Sequence, residues 1–305
     1  MARIGVDLGG TKIYGVVVDG VEVLATAKRK TPRKASPDEV IHRIVQVVDD
    51  LGGVEGIESI GVGAPGPVDA RGTVLVAPNL TGWDGPVPLA ALLAQSLHRP
   101  VTVENDVSAA TFAEHRAGAA RGVADVLGVW VGTGVGGGLV IGGHLVRGQR
   151  GGAAEIGHMA VRPGGRRCGC GGSGHLEAYA GRAGMEAEAR RRQAAGEPTQ
   201  LVEEAGDRRI TSRVWADALA AGDVVATEIV AEGAEMLAVA LASAAALVDM
   251  TAVVIGGGLA ERLGDPWREE VARRLGELSF GPPPSLAAAA LGDPGGALGA
   301  ALLAG

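Results

Sequence analysis

Two stretches of the chain repeat one pattern of strand, glycine turn and strand. Positions 4–20 (IGVDLGGTKIYGVVVDG) align without a gap with positions 127–143 (LGVWVGTGVGGGLVIGG), at a constant offset of 123 residues. Six apolar positions match, and so do four glycines: Gly5, Gly9, Gly15 and Gly20 fall on Gly128, Gly132, Gly138 and Gly143. Each copy predicts a β-hairpin. A chain that carries this hairpin twice is predicted to form two similar lobes that face a shared cleft.

The glycines of the two turns also indicate a class of ligand. Glycine allows a positive φ and lets backbone N–H groups approach a phosphate closely. Two such turns opposed across a cleft suit a nucleotide triphosphate. The alternative is a pair of ordinary turns, because 51 of the 305 residues are glycine, against a background of about 7%. The joint match of glycines and apolar positions favours phosphate binding.

Length and composition restrict the class of protein. A chain of 305 residues exceeds what one hydrophobic core usually serves, which agrees with two lobes. Its 47% hydrophobic and 21% charged residues indicate a folded globular protein. A net charge of −7 without a basic tail argues against nucleic acid as the main partner. No signal-peptide pattern opens the chain, and the most apolar stretch, 236–248, is shorter than the ~20 residues that span a membrane. We therefore expect a cytoplasmic protein without a membrane partner.

The spacing of apolar residues and turn signals predicts an α/β chain. Expected strands lie at 4–8, 14–18, 21–27, 100–106 and 250–263, and a further strand within 59–69 runs into a proline and glycine turn. Expected helices lie at 36–51, 87–97, 107–117, 210–223, 224–248 and 292–305. This order suits mixed sheets flanked by helices. We expect a smaller lobe of residues 1–112, to which the C-terminal helix at 293–305 returns, and a larger lobe of residues 113–292.

A glycine-rich segment in the second half of the chain carries four nitrogen and sulfur side chains: His158, Cys168, Cys170 and His175. The two cysteines are one residue apart and make a poor disulfide, which excludes a bridged secreted scaffold. Two thiolates and two imidazoles match a closed tetrahedral zinc site, whereas magnesium and calcium prefer oxygen. Four protein ligands leave no open position, so we expect structural zinc. A lone histidine or a lone CxC motif is a weak signal and usually binds no metal, whereas four such side chains in one segment favour zinc.

Acidic residues lie beside this segment and at the end of an earlier strand. Glu155 and Glu177 flank the four expected zinc ligands, so a zinc loop would fix two acceptors suited to a sugar with several hydroxyls. Either glutamate alone could instead be solvated surface charge. Glu104, Asn105 and Asp106 end a strand just before a helix, where Asn or Asp can be the helix cap. A carboxylate at a strand's carboxyl end can equally be a general base. The spacing leaves both roles open.

Seven motifs together resemble the ROK family, closest to its bacterial glucokinases. They are DLGGTK (7–12), GAPGPVD (63–69), ENDVSAA (104–110), GTGVGGG (132–138), EIGH…CGCGGSGHLE (155–177), IGGG (255–258) and GDPGGALGAA (292–301). Their order and spacing also match, over essentially the whole chain. The resemblance implies a duplicated actin-like ATPase (ribonuclease H-like) fold with two lobes around a cleft, a homodimer or homotetramer, and transfer of the γ-phosphoryl group of ATP, with magnesium, to a sugar hydroxyl.

The resemblance also implies a role for individual residues. Asp106 would be the base on the sugar 6-hydroxyl. The other sugar contacts would be Gly66, Asn79, Asn105, Glu155, His158 and Glu177. The two phosphate turns would be formed by Gly9, Gly10, Thr11 and Lys12 and by Gly132, Thr133 and Gly134. Asp7 would lie near the magnesium, and Gly256, Gly257 and Gly258 beside the adenosine. The zinc loop would span residues 155–177 of the larger lobe.

The chain departs from the family pattern at two points. His175 stands where the family has a third zinc cysteine, so the ligand set is Cys₂His₂ in place of Cys₃His. Ala154 stands where the family usually has glycine before Glu155, which can shift the Glu155 backbone. Neither change removes an expected sugar contact.

The sequence as a whole predicts an ATP-dependent hexose kinase, with glucose as the expected substrate. N-acetylmannosamine, mannose or fructose remain alternatives, as does polyphosphate as the phosphoryl donor. A sugar-sensing repressor of the same family would carry a helix-turn-helix ahead of Asp7, and six residues leave no room for one. A non-catalytic sugar-binding protein is disfavoured, because Asp106 and both glycine turns are intact.

Overall fold

The computed structural model describes residues 1–32, 36–77, 80, 82–83 and 85–304. The chain forms two compact units. Unit 1 consists of Met1–Gly128, Gly138–Ala154 and Ala289–Gly305, and unit 2 consists of Val129–Gly137 and Glu155–Ala288. Both units combine strands with helices, so the predicted α/β class is confirmed.

Strands dominate the first half of the chain and helices the second. The first half contains β1 (Ala2–Leu8), β2 (Lys12–Asp19), β3 (Glu22–Lys30), α1 (Pro37–Asp50), β4 (Ile57–Ala64), α2 (Leu89–Leu97), β5 (Val101–Asn105), α3 (Asp106–Ala117), β6 (Val126–Val131), β7 (Val135–Ile141) and β8 (His144–Leu145). A short 3₁₀ helix (Ile156–His158) follows, then α4 (Glu177–Ala180), α5 (Arg182–Ala194), α6 (Gln200–Ala205), α7 (Ser212–Ala220), α8 (Val224–Val248), β9 (Ala252–Gly256), α9 (Gly258–Leu278), β10 (Ser285–Ala288) and α10 (Gly295–Leu303).

The first sheet has the strand order β3-β2-β1-β4-β5. β1 pairs with β2 in antiparallel register, with Asp7 opposite Tyr14, and β2 pairs likewise with β3. β4 and β5 are parallel to β1 and to each other. The carboxyl ends of β1, β4 and β5 therefore lie at one edge of the sheet, which is where open α/β sheets bind ligands.

Two strand glycines allow α10 to pack directly on this sheet. A Cβ added at Gly5 would overlap the carbonyl oxygen of Ala297, and one added at Gly61 would overlap that of Ala300. Helix and strand backbones are thus in contact, with no side chain between them. Larger residues at either glycine would force α10 away from β1 and β4.

The duplication predicted from the sequence is present in the structure. β1 and β2 join through residues 9–11, and β6 and β7 join through residues 132–134. A third strand, β3 or β8, follows each hairpin after a two-residue turn. The second sheet has the order β10-β9-β6-β7-β8. The two predicted hairpins are therefore confirmed.

The repeated glycines do not all serve the turns. Gly15 lies inside β2, and a Cβ there would be 2.5 Å from the Val47 side chain of α1. Gly138 lies inside β7, and a Cβ there would overlap the Thr111 side chain of α3. These two glycines make room for helices, whereas Gly9 and Gly132 lie in the turns of the repeated hairpins, and Gly20 and Gly143 lie in the two-residue turns that follow them.

Several elements end at other residues than the sequence pattern predicts. The strand expected within 59–69 begins earlier, at Ile57, and ends at Ala64, before the proline and glycine turn that the sequence predicts there. The helix expected at 87–97 begins at Leu89, directly after Pro88. The segment expected as a strand at 250–263 is a strand only through Gly256, after which α9 begins. The residues between β9 and α9 are glycine and apolar, so the sequence pattern did not indicate that a helix follows the strand.

Within the described part of the chain, one helix is long and apolar enough to cross a membrane by length and composition. This is α8, which extends further than the apolar stretch at 236–248. Half of its most apolar window is buried inside the protein. Core helices pass the same test, so α8 is weak evidence of a membrane span.

Candidate functional site

The carboxyl end of β5 presents Asn105 and Asp106, and their roles in the backbone differ. Asn105 is the N-cap of α3, because its Oδ1 accepts a hydrogen bond of 2.9 Å from the Ser108 N–H. Asp106 is the first residue of the helix, and its Oδ1 accepts from the Val107 N–H at 2.9 Å and from the Asn105 amide at 3.2 Å. The capping role left open by the sequence thus belongs to Asn105.

Neighbouring segments of unit 1 fix the same strand end. The Asn105 amide also donates to the Gly66 carbonyl oxygen at 3.1 Å. Gly66 has φ 85°, and a Cβ there would overlap the Val76 carbonyl oxygen, so only glycine fits this close approach. Asn79, another expected sugar contact, lies outside the described residues. Gly66 and Asn105 therefore form one hydrogen-bonded corner beside Asp106.

Glu104 and Arg147 complete this corner, and the sequence assigned no role to either. Glu104 is buried, and its carboxylate pairs with the Arg147 guanidinium at 2.5 Å. Its other oxygen accepts from the Asn105 N–H at 3.0 Å. Arg147 follows β8, so the ion pair ties the segment after β8 to the end of β5. A charge-assisted hydrogen bond of this kind restricts both segments.

The first glycine turn joins β1 to β2 and is closed by hydrogen bonds. The Gly9 N–H donates to the Lys12 carbonyl oxygen at 3.0 Å. Thr31, at the end of β3, donates its hydroxyl to the Gly9 carbonyl oxygen at 2.6 Å and its N–H to the Thr11 carbonyl oxygen at 3.1 Å. Gly10 lies between them. Thr31 thus stabilises the turn from the neighbouring strand, a contact that no sequence motif indicated.

Charged groups surround the first turn. The Lys12 ammonium pairs with the Asp293 carboxylate at 2.5 Å, and Lys28 lies 3.8 Å from the same side chain. Its hydrogen bond to Lys12 lowers the pKa of Asp293. Asp7 lies at the end of β1, beside Gly296 in the first turn of α10. Burial raises the pKa of the Asp7 carboxyl to about 6, while Lys12 opposes this shift and Asp293 adds to it. The site thus carries a carboxylate of weakened acidity.

The second glycine turn lies in unit 2 and contacts the start of α5. The Arg182 N–H donates to the Gly132 carbonyl oxygen, and the Ala183 N–H donates to that of Thr133, both at 3.0 Å. The Arg182 guanidinium also donates to Thr133 Oγ1 at 2.8 Å. Gly134 follows, and its carbonyl oxygen accepts from the Gly132 N–H. The turn therefore has a defined backbone conformation.

A cavity of about 360 Å³ adjoins this turn. Its lining includes Thr133 and three arginines, Arg182, Arg190 and Arg209. Arg190 is paired with Glu186, which also lines the cavity. Arg182 also donates to the Ile210 carbonyl oxygen, and Arg190 to the carbonyl oxygens of Gly206 and Arg208, so contacts within the protein hold both guanidinium groups.

The segment 256–258 forms the junction between β9 and α9. Gly256 ends the strand, Gly258 begins the helix, and Gly257 between them has φ 95°. A Cβ on Gly257 would lie 2.6 Å from the Val131 carbonyl oxygen. A helix N-terminus presents free backbone N–H groups and a partial positive charge, which favour anions.

The four expected metal ligands lie together in unit 2. One donor atom from each of His158, Cys168, Cys170 and His175 lies within 4.8 Å of the others. Cys170 Sγ is 3.2 Å from His175 Nδ1, and Cys168 Sγ is 3.9 Å from His158 Nδ1. Tetrahedral zinc with bonds of about 2.0–2.3 Å needs donors roughly 3.3–3.8 Å apart. The donor set therefore fits a closed zinc site, and the donor atoms lie within about 1 Å of the spacing that tetrahedral zinc requires. Burial raises the pKa of the Cys168 thiol to about 11, so cation binding would release a proton.

Ala154, which directly precedes Glu155, has an unusual backbone conformation. Ala154 has φ 62°, a left-handed conformation that non-glycine residues rarely adopt. Glu155 is then the N-cap of the 3₁₀ helix Ile156–His158, and its carbonyl oxygen accepts from the His158 N–H at 3.0 Å. The conformation is the one glycine favours, and Ala154 adopts it under strain.

Comparisons with known proteins agree with this fold. The chain is 37% identical over 310 residues to a glucokinase of Streptomyces coelicolor, an alignment that covers 99% of this chain and 96% of the relative. The crystal structure of a ROK hexokinase from Thermus thermophilus matches with a TM-score of 0.86 and 36% identity, covering 100% of this chain and 98% of the other. A ROK family glucokinase from Streptomyces griseus, crystallised with glucose and AMPPNP, matches with a TM-score of 0.82 and 38% identity, covering 100% and 99%.

Two sheets, a repeated hairpin and glycine turns define a duplicated α/β fold of the actin-like ATPase class. The family model described as "ROK family" matches residues 3–305. The chain belongs to the ROK family.

Proposed function

We propose that this protein is a glucokinase that transfers the γ-phosphoryl group of ATP to the 6-hydroxyl of glucose. The observation that carries the proposal is the full-length similarity to a glucokinase crystallised with glucose and AMPPNP. The similarity to the Streptomyces coelicolor glucokinase supports it independently. A phosphoryl-transfer enzyme works mainly by positioning its substrates and stabilising charge, and the residues described above are suited to both tasks.

In this proposal Asp106 accepts the proton of the sugar 6-hydroxyl as the new O–P bond forms and the bond to the leaving ADP breaks. Its position at the carboxyl end of β5 and the donation from the Asn105 amide to its Oδ1 support this role, because they fix the direction of the carboxylate. The remaining hydroxyls of the sugar are assigned to Gly66, Asn79, Asn105, Glu155, His158 and Glu177.

The triphosphate is assigned to the two glycine turns, 9–12 and 132–134, and the adenosine to Gly256, Gly257 and Gly258. Backbone N–H groups at the turns and at the start of α9 are the donors that phosphates require. Magnesium is usually bound through one or two carboxylates together with substrate phosphates, and Asp7 is the carboxylate assigned to it. When bound, magnesium would neutralise charge on the transferred group.

The Cys₂His₂ cluster is assigned to structural zinc. Ligation through one ring nitrogen of His158 would fix the direction of the ring, so that the other nitrogen can face a sugar hydroxyl. The zinc site would thus support sugar binding without taking part in the chemistry. We further propose that the protein acts in the cytoplasm as a homodimer or homotetramer, which light scattering would measure.

ADP release coupled to an optical assay tests the proposal over a panel of glucose, mannose, fructose and N-acetylmannosamine. Each sugar is offered with ATP and, separately, with polyphosphate, where the sugar phosphate is measured because no ADP is released. The Asp106→Asn variant gives the background rate. We expect the highest kcat/KM with glucose and ATP. A higher kcat/KM with another sugar or with polyphosphate would overturn the substrate assignment. Sugar binding without turnover would instead identify a non-catalytic sugar-sensing protein.

A further inference from the structure

Glu177 contacts both a metal-ligand residue and the second glycine turn. Its Oε2 accepts a hydrogen bond of 3.0 Å from the Val135 N–H, at the first residue of β7. Its Oε1 lies 3.6 Å from Cys168 Sγ, within reach of the thiol as donor. Glu177 is partly buried at the start of α4 and follows His175 by two residues. One carboxylate therefore spans the gap between the metal cluster and the turn.

Two close glycine contacts show how tightly the turn packs against the metal-ligand segments. A Cβ on Gly134 would overlap Oε2 of Glu177, so the glycine at this position makes room for that carboxylate. A Cβ on Gly157 would overlap the Val135 carbonyl oxygen, and Gly157 directly precedes His158. Val135 is thus in contact on its N–H side with Glu177 and on its carbonyl side with the 3₁₀ helix.

We propose that Glu177 is a positioning residue that makes the conformation of the glycine turn at 132–135 depend on metal at the Cys168 cluster. This inference rests on the proposed function only in assigning the turn to phosphate. It adds to Glu177 a role toward the nucleotide, beyond the sugar contact assigned to it above.

The physical basis is the short piece of chain that joins the metal cluster to Glu177. Metal would draw the four donor atoms, which now lie within 4.8 Å of one another, toward tetrahedral spacing and so restrict His175. Glu177 follows His175 by two residues at the start of α4, so its carboxylate is restricted with it. A restricted carboxylate keeps its hydrogen bond to the Val135 N–H formed for more of the time, which reduces the mobility of the turn.

Hydrogen exchange at the Val135 amide tests the coupling without sugar or nucleotide. We expect the amide to exchange about tenfold more slowly with stoichiometric zinc than after chelation, because an amide whose hydrogen bond opens less often exchanges more slowly. In Glu177→Ala the zinc dependence should disappear, whereas Glu177→Gln keeps an acceptor and should retain part of it. Amides of β9 serve as the internal reference. Zinc-independent exchange in the wild type, failure to bind zinc, or unchanged zinc dependence in Glu177→Ala would each overturn the proposal.

A double-mutant cycle tests the contact itself by thermal unfolding of the zinc-loaded protein. Gly134→Ala should lower Tm in the wild type, because the new Cβ meets Glu177, and should lower it far less in the Glu177→Ala background. Equal losses in both backgrounds would contradict the geometry.

Nucleotide affinity then connects the coupling to the turn's proposed ligand. Calorimetry should show AMPPNP binding about tenfold more weakly after zinc removal in the wild type, with no such loss in Glu177→Ala. An equal loss in the variant would refute transmission through Glu177. If exchange depends on zinc while no hexose is phosphorylated, the proposed function fails and the coupling of metal to turn stands.

Discussion

Replacing Asp7 by asparagine tests how much the buried charge beside the first glycine turn reduces the free energy of unfolding. Burial raises the pKa of Asp7 from its ordinary value of 3.8 to about 6. A rise of about two pKa units between the unfolded and folded states corresponds to about 3 kcal/mol of folding free energy. Asparagine has nearly the same shape but no charge, so the substitution isolates that electrostatic cost.

Whether Asp7 raises or lowers the free energy of unfolding as pH rises depends on which state, folded or unfolded, binds its proton more tightly. The folded protein binds the proton of Asp7 more tightly than the unfolded chain does. Below about pH 4 the side chain is protonated in both states, so Asp7 does not reduce the free energy of unfolding there. Between pH 4 and pH 6 the advantage of the folded state is lost as pH rises, because the unfolded chain ionises first. Asp7→Asn should therefore match the wild type near pH 4 and exceed its stability by up to about 3 kcal/mol at pH 8.

Guanidinium unfolding of both proteins at several pH values measures this difference, and effects common to both cancel. Asp19→Asn is the matched control, since Asp19 lies on the neighbouring strand with a side chain that is 63% exposed. It should shift the stability little at any pH. A difference between Asp7→Asn and the wild type that is constant with pH, or a less stable variant at pH 8, would refute the reasoning. The same variant should lose kinase activity, because Asp7 is assigned to magnesium.

Three further predictions follow from single residues of the site. Asp106→Asn should keep sugar affinity while kcat falls by about 10²-fold or more, and full turnover at unchanged KM would remove Asp106 as the base. Ala154→Gly should raise the free energy of unfolding by up to about 1 kcal/mol, because it relieves a left-handed alanine; a destabilised variant would contradict the strain. Metal analysis should find about one zinc per chain, and Cys168→Ser should lose it and weaken glucose binding in calorimetry. Full sugar affinity in metal-free Cys168→Ser would refute the supporting role of the cluster.

Local sequence patterns were enough to predict the repeated hairpin, the order of the elements in the first half of the chain and the metal cluster. The hairpins follow from strand alternation around glycine turns, which is encoded over a few residues. The four metal ligands lie within 18 consecutive positions, 158–175, so a short loop brings them together. These features depend on contacts between residues that are close in the chain.

Contacts between distant residues could not be predicted in this way. Arg147 pairs with Glu104 from 43 positions away, and Asp293 reaches Lys12 from the other end of the chain. Buried Glu114 accepts hydrogen bonds of 2.9 Å from the N–H groups of Ala290 and Leu291, ahead of α10. Nothing in the periodicity around these residues marks their partners.

The sequence also did not predict which group lies against each glycine. Gly134 belongs to a motif that predicts phosphate binding, yet the side chain that excludes a Cβ there is Glu177. Gly5 and Gly61 are needed because α10 packs on the strand backbones. A glycine-rich pattern identifies positions of close approach, and the structure is required to say what approaches.

The proposed reaction is tested most directly by following ATP and glucose with the purified protein by phosphorus NMR. We expect the γ-phosphate signal of ATP to be replaced by the signal of glucose 6-phosphate, whose phosphorus couples to the two protons of the C6 methylene group. Asp106→Asn should give this product at least about 10²-fold more slowly. A phosphate ester at a ring carbon, free phosphate without a sugar ester, or no consumption of ATP would contradict the assignment of this chain as a glucokinase.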